Sequence, residues 1–242
     1  MLQTLHSLRK RTTESELMDD PRCDIEDLFA TLSQFSSLNR FLARYRSILK
    51  KYVVKDMQRK NLLHATILDM GSGGGDINNW LVDFARKKKL NLRIIACDSD
   101  LRVCAFAQKQ NRFLNQIDIR CVDLLEFTPE EPVDYVFANH FLHHLNDDEI
   151  ELLMDKWHPF VRQKLIFSDL KRSIFSYYSY KVFSLMYRNS FVRHDGLISI
   201  KRGFTNKDLT KIAERSSGIK NSVIKSFFFG RLVLVFDGTF IE

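Results

Sequence analysis

The residues Ile-Leu-Asp-Met-Gly-Ser-Gly-Gly-Gly-Asp at positions 67–76 constrain the chain more than any other stretch. A short apolar run ends in an acid, four glycines follow within five residues, and Asp76 opens an amphipathic segment. That order predicts a strand, a tight glycine loop and a helix over 76–88. Glycine takes positive φ and lets backbone approach a ligand more closely than a Cβ permits. The unpaired N–H groups at the helix start, with its dipole, favour a carboxylate or phosphate. Asp69 at the strand tip suits a cationic ligand and would repel a pyrophosphate, which disfavours a dinucleotide site. On this stretch alone, a ligand-free glycine turn and a nucleotide site of another kind stay open.

Later strands carry polar tips in the same way. The run 92–98 ends in Asp98, about 20 residues beyond the glycines, where an acid can accept both hydroxyls of a ribose. Asp98 can instead cap the helix expected over 101–111, a task for which Ser99 and Asp100 are also placed. The strand at 117–124 carries Asp123, that at 132–139 ends on Asn139, and that at 164–170 carries Asp169. Strand and helix alternate, which predicts a parallel sheet with right-handed crossovers. With 242 residues and 45% hydrophobic composition, one sizeable α/β core is the expectation.

The acid and glycines from Asp69 to Gly75 fit E/D-x-G-x-G-x-G and, with the polar strand tips, resemble class I S-adenosylmethionine-dependent methyltransferases over about 67–236. The resemblance implies a Rossmann-like, seven-stranded, mostly parallel sheet with an antiparallel C-terminal strand and helices on both faces. It implies a helical cap over 1–60 and a methyltransferase part over 61–242. The implied cofactor is S-adenosylmethionine, with S-adenosylhomocysteine as product. Implied cofactor-binding residues are Asp69, Gly71, Gly73, Asp76, Asp98, Ser99, Asp123, Leu124 and Asn139. In the family the acid at Asp123 accepts from the adenine amino group and the next residue offers a backbone N–H. Arg46 is the candidate to close the methionine end, with plain surface exposure as the other reading.

Glu-Leu-Met-Asp-Asp-Pro at 16–21, the pair His143-His144 and the run from Arg193 to Gly196 resemble the quinone-methylase-like branch more narrowly. That branch implies a small, lipidic, phenolic or polyketide-like acceptor, methylated on oxygen or, less readily, carbon. The N/D-P-P-Y/F motif of amino-methylating enzymes is missing after Asn139, as is the Pro-Cys pair of a C5-pyrimidine nucleophile. A phenol or enol oxygen must lose a proton, which calls for a base near neutrality. Candidates are His194, His143 and Asp169, with Arg193 stabilising an oxyanion. Each histidine can equally be a packing residue, and the Arg193–Asp195 cluster a solvated turn.

Around this core, Asp24 caps a helix over 25–35 after the break at Pro21, and an apolar run continues through Leu38, Phe41, Leu42, Tyr45 and Ile48. The aromatic segment at about 171–203 sits where the family inserts substrate-binding elements. Its apolar positions exceed one helical stripe, so core packing, an oligomer interface and an apolar substrate wall all stay open. A strand-like piece is expected at 198–200, then a helix capped by Thr205 with Asp208 at N3. Strands at 223–229 and 232–236 flank Gly230-Arg231, a hairpin signal.

Net charge is +7 but scattered, which permits an acidic partner without requiring one. An RNA methyltransferase is the alternative that this charge favours, against which stands the lack of an appended RNA-binding module. A non-catalytic S-adenosylmethionine-binding regulator is a third reading. The four cysteines show neither metal-ligand spacing nor the density of a disulfide scaffold, so the expectation is a reducing cytoplasm and no metal. No stretch reads as a membrane span or secretory signal, although the first thirteen residues, basic and free of acids, faintly resemble an organellar presequence. The expected partner is a small apolar or aromatic molecule rather than nucleic acid, and an oligomer is allowed.

Overall fold

The computed structural model describes residues 7–41, 44–128, 130–187, 190–216, 222–227 and 230–238, with side chains beyond Gln34 and Phe35 described again from Arg44. Seven strands, β1 His64–Met70, β2 Asn91–Asp98, β3 Ile117–Cys121, β4 Val133–Asn139, β5 Val161–Leu170, β6 Ser222–Phe227 and β7 Arg231–Asp237, form one sheet. Their order is β3-β2-β1-β4-β5-β7-β6. The first five are parallel, and β7 runs antiparallel to both neighbours. The chain winds outward in one direction from β1 to β3 and in the other from β4, so a crevice opens above the carboxyl ends of β1 and β4. The sheet expected from the sequence is the one observed.

Both faces of the parallel strands are covered, which is why they read as nearly continuous apolar runs. Ile67, Ile94, Tyr135, Ile166 and Val233 point into one core, whereas Leu68, Val136, Leu165 and Leu234 point into the other. Helix α1 is Ile25–Phe41, and the pieces Tyr45–Leu49, Lys50–Val54 and Lys55–Arg59 run on as α2, the middle five residues in π geometry. The crossover helices are α3 Asp76–Arg86, α4 Leu101–Gln110 and α5 Asp147–Trp157. On α3 the buried residues Ile77, Leu81, Val82 and Ala85 recur at helical spacing and pack on the first core. Asp24 caps α1 as expected, accepting from the Glu26 and Asp27 amides at 2.7 and 3.1 Å. The expectations placed on Leu38, Phe41 and Leu42 and on Phe229 concern side chains or residues outside the described set.

One expected strand is corrected. Residues 198–200 belong to helix α7, Ser190–Arg202, which pairs with α6, Ile174–Ser184. The piece at 198–200 reads as strand-like in the sequence, but tertiary contact decides otherwise. Gly196 lies beneath the Tyr180 ring so closely that a Cβ there would stand 2.1 Å from Cζ, and Tyr180 Oη donates to the Val192 carbonyl at 2.7 Å. Helix α8, Asn206–Arg215, carries the capping box expected from Thr205 and Asp208.

The N-terminal segment from Arg11 to Asp20 forms a strap over the crevice. Arg11 donates to the carbonyls of Arg202 at 2.9 Å and Leu145 at 2.5 Å and to Asp147 at 2.7 Å. Asp195, fully buried on α7, accepts from the Leu17 and Met18 amides at 2.8 and 3.0 Å. Those amides begin a 3-10 turn and would otherwise lack acceptors.

Candidate active site

Under the strap lies a cavity of about 1040 Å³. It has two chemically different halves. The first is formed by the β1, β2 and β4 tips and the glycine loop, and it brings together Asp69, Gly71, Gly73, Asp76, Asp98, Ser99, Asp123, Leu124 and Asn139. All nine were expected from the sequence to share a site. Arg46 does not join them: its guanidinium lies 5.4 Å from the Trp80 ring centroid, in a separate depression bordered by Gly74 and Asp76.

The loop has the backbone geometry that its glycines permit. Gly71 and Gly73 have φ of 66° and 53°. A Cβ on Gly71 would strike the Phe141 ring at 2.5 Å, whereas one on Gly73 would meet nothing within 4 Å and would project into the cavity. Asp98 Oδ2 accepts from the Gly73 amide at 3.0 Å, tying the β2 tip to the loop. The helix-capping role left open for Asp98 belongs to Asp100, which accepts from the Arg102 amide at 2.7 Å.

This half is strongly acidic. Burial raises the Asp69 pKa to about 7 against the help of Asn78, which donates to Oδ2 at 2.8 Å, and the Asp76 and Asp98 carboxylates raise it further. Burial also raises Asp98. Neither Asp69 nor Asp98 has an ion-pair partner among the described residues. Moreover, the buried Asn139 Oδ1 and Ser72 Oγ, both on cavity-lining residues, have no hydrogen-bond partner. A ligand carrying positive charge and several donors would satisfy all of these groups.

The second half combines a buried charge cluster with an apolar wall that contains Phe175, Val182 and Phe183 from α6 and Met186 from the turn after it. His143 lines the cavity and is 2% exposed. Behind it, Asp169 Oδ1 meets His143 Nδ1 at 2.8 Å and Oδ2 accepts from the His143 amide at 3.1 Å. On the other side Glu16, from the strap, stands 3.4 Å from His143 Nε2. Burial alone would lower the His143 pKa, but the two carboxylates outweigh it and raise it to about 9. Glu16 is correspondingly held down at about 2 against its burial, and Asp169 lies well below the usual carboxylate range.

Two further expected residues lie apart from this cluster. His194 is on the outer side of α7, with its side chain 48% exposed and Nδ1 2.9 Å from Asp195. Arg193 is also exposed and donates to the carbonyls of Tyr187 and Leu185 at 2.5 and 3.4 Å. Neither lines the cavity, because the segment is helical rather than a turn. Glu16 and Arg231 do line it. Glu16 lies in a polar N-terminal stretch, and Arg231 follows the hairpin glycine, so neither position carried a local signal of burial.

Residues 67–164 match the family model described as a methyltransferase domain. That stretch is a methyltransferase domain, and the sheet around it has the class I methyltransferase fold. S-adenosylmethionine is its methyl donor, and the acidic half of the cavity, with its unsatisfied Asn139 and Ser72 oxygens, fits that molecule. No curated protein sequence matches the chain significantly. Among solved structures, the plantazolicin methyltransferase BpumL, crystallised with a triazolic desmethylPZN analog and SAH, is similar at 14% identity with TM-score 0.69, covering 98% of both chains. The related BamL complex gives 12% identity and TM-score 0.64 over 86% of this chain and 90% of that one. Magnesium protoporphyrin IX methyltransferase (ChlM) from Synechocystis PCC 6803, with SAH bound, gives 15% identity and TM-score 0.53 over 92% and 91%. At these identities the likeness extends to the methyltransferase fold. Among the described residues no helix is long and apolar enough to cross a membrane.

Proposed function

We propose that the chain methylates an oxygen of a small, largely apolar or aromatic molecule. The observation that carries this reading is the joining, in one cavity, of the acidic half to an apolar wall with a buried imidazole between two carboxylates. The similar solved structures include a magnesium protoporphyrin IX methyltransferase and a plantazolicin methyltransferase, which supports a small-molecule acceptor.

In this reading Gly71 and Gly73 let the loop approach the donor's amino-acid end, and Asp69 and Asp76 face its positive charge. Asp98 takes the ribose hydroxyls, with Ser99 beside it. Asp123, Leu124 and Asn139 surround the base. When bound, S-adenosylmethionine supplies a methyl group on a positively charged sulfur. The chain's own task is to place the acceptor oxygen in line with that methyl, exclude water and handle a proton.

His143 is the group placed for the proton. Asp169 fixes its Nδ1–H, which leaves Nε2 for the acceptor. With Glu16 at Nε2 the imidazole is charged at neutral pH and is not yet a base. As an acceptor hydroxyl enters, the Nε2 proton would leave on the Glu16 carboxylate, so that Nε2 becomes free to accept from the hydroxyl. The hydroxyl proton would then pass to Nε2, leaving the acceptor oxygen free to take the methyl group that the bound donor would supply. Asp169 balances the imidazolium that results. The test is incubation with methyl-labelled S-adenosylmethionine and a panel of phenols, enols and carboxylic acids beside total RNA. Label in the extractable small molecules supports the reading; label confined to RNA overturns it.

A further inference from the structure

Arg231, the first residue of β7, is a buried cation with no anion of its own. Its side chain lines the cavity and only 2% of the residue is exposed. Burial lowers its pKa to about 10, which leaves it charged at neutral pH. Asp169 is the carboxylate that acts on it, and Asp169 already receives the His143 ring and the His143 and Leu170 amides. Among the described residues no carboxylate lies within ion-pair distance of the Arg231 guanidinium.

Its hydrogen bonds do not make up the difference. A guanidinium offers five N–H donors. Here Nη1 reaches the Ser168 carbonyl at a long 3.4 Å, and Nη2 contacts Nε2 of His140. His140 has to be neutral to accept, and burial together with the Arg231 charge pushes its pKa well below the ordinary value. His140 is held there with φ of 58°, its amide donating to the same Ser168 carbonyl at 3.0 Å. A neutral imidazole orients the guanidinium without neutralising it. Burying a cation in this way is unfavourable unless a partner arrives, and the open side of Arg231 is the cavity.

The surroundings say what that partner is. Arg231 pairs with Leu170 at the β5 tip, and Ser176 of α6 packs against the neighbouring Gly230, whereas Asp69 and Asp98 stand on β1 and β2, beyond β5 and β4 in the sheet. We propose that Arg231 anchors an anionic oxygen of the methyl acceptor, so that the acceptor is an amphipathic organic acid with its apolar body along α6. This rests on the reading of that half as the acceptor site. A guanidinium fork matches a carboxylate with two parallel hydrogen bonds, and meets an enolate or phenolate with one.

Octanoate and octan-1-ol, matched in apolar body, test the proposal by calorimetry on the full chain saturated with S-adenosylhomocysteine. Octanoate should bind the wild type about tenfold more tightly than the alcohol, and in Arg231→Met that preference should vanish. Arg231→Lys should keep part of it, and both variants should bind S-adenosylhomocysteine as the wild type does. Equal binding of acid and alcohol to the wild type, no binding of octanoate, or a preference that survives in Arg231→Met overturns the proposal. Loss of S-adenosylhomocysteine affinity in Arg231→Met also overturns it, by assigning the guanidinium to the donor. Should the Met variant not fold, the wild-type ratio and Arg231→Lys decide. A failure of the methyltransferase reading shows separately, as no S-adenosylhomocysteine binding by the wild type.

Discussion

Glu16 on the N-terminal strap stands 3.4 Å from His143 Nε2, and both residues are almost fully buried. Ser199 on α7 donates to the same Glu16 carboxylate at 2.7 Å, and Asp195, one turn earlier, holds the two amides that follow it. The strap is therefore fastened to the helix behind it and to the imidazole in front of it. Strap and imidazole are thus joined by one buried ion pair.

A pH dependence follows, with opposite signs for the two partners. His143 rises from 6.5 to about 9 on folding, so its stabilisation is complete below pH 6.5 and fades as pH climbs through 9. Glu16 falls from 4.5 to about 2, so its stabilisation is complete above pH 4.5 and fades toward 2. These describe one shared interaction and count once. Glu16→Gln should destabilise the fold by about 2 kcal/mol near pH 6, less than an orphaned buried charge because Asp169 remains. Thermal melts of both proteins across pH should show the widest Tm gap between 4.5 and 6.5 and a narrow one at 9. A gap that does not vary with pH would show that the pair is not ionic.

The same substitution separates a proton-handling role from a packing role. If His143 is the base, it acts when neutral, and removing a facing carboxylate makes it neutral at lower pH. The acidic limb of the kcat/KM profile should then move down by about one pH unit in Glu16→Gln. A lower kcat/KM with an unmoved limb would mean that Glu16 only packs the strap.

His143→Ala should reduce turnover by about a hundredfold or more while S-adenosylhomocysteine affinity stays the same. His194→Ala, on the exposed side of α7, should turn over like the wild type. Steady-state kinetics beside calorimetry checks both, and the reverse pattern would return the base to α7.

The crossing of α6 and α7 depends on a missing Cβ. Gly196→Ala would place a methyl 2.1 Å from the Tyr180 ring and should cost about 1–3 kcal/mol in urea denaturation. In Gly196→Ala with Tyr180→Leu much of that loss should be recovered. Strictly additive losses would show that the ring is not what excludes the methyl.

The glycine loop and the strand tips were legible in the sequence because their signals are local. An acid or amide closing an apolar run places Asp69, Asp98 and Asn139 at one edge of the sheet whatever else the chain does. Asp123 was read at a strand end and lies just past one, since β3 stops at Cys121. The acceptor half was less legible because its residues meet through tertiary contact. Glu16 and His143 lie far apart in the chain, and nothing near Glu16 marks it as buried. Arg231 read as part of a polar hairpin turn, although it is the first buried residue of β7. His194 and Arg193 looked like a turn beside a short strand, and once the segment is a helix they face outward. The sequence pattern could not show that Gly196 serves a helix crossing, because the Tyr180 contact exists only in the folded chain.

Binding of S-adenosylhomocysteine, measured by isothermal calorimetry on the wild type and on Asp98→Ala, tests the account at its centre. The wild type should bind one equivalent, and Asp98→Ala should bind about a hundredfold more weakly or not measurably, having lost both the ribose acceptor and the tie to the Gly73 amide. Wild type that does not bind, or Asp98→Ala that binds equally well, would contradict the assignment of the acidic half to the methyl donor.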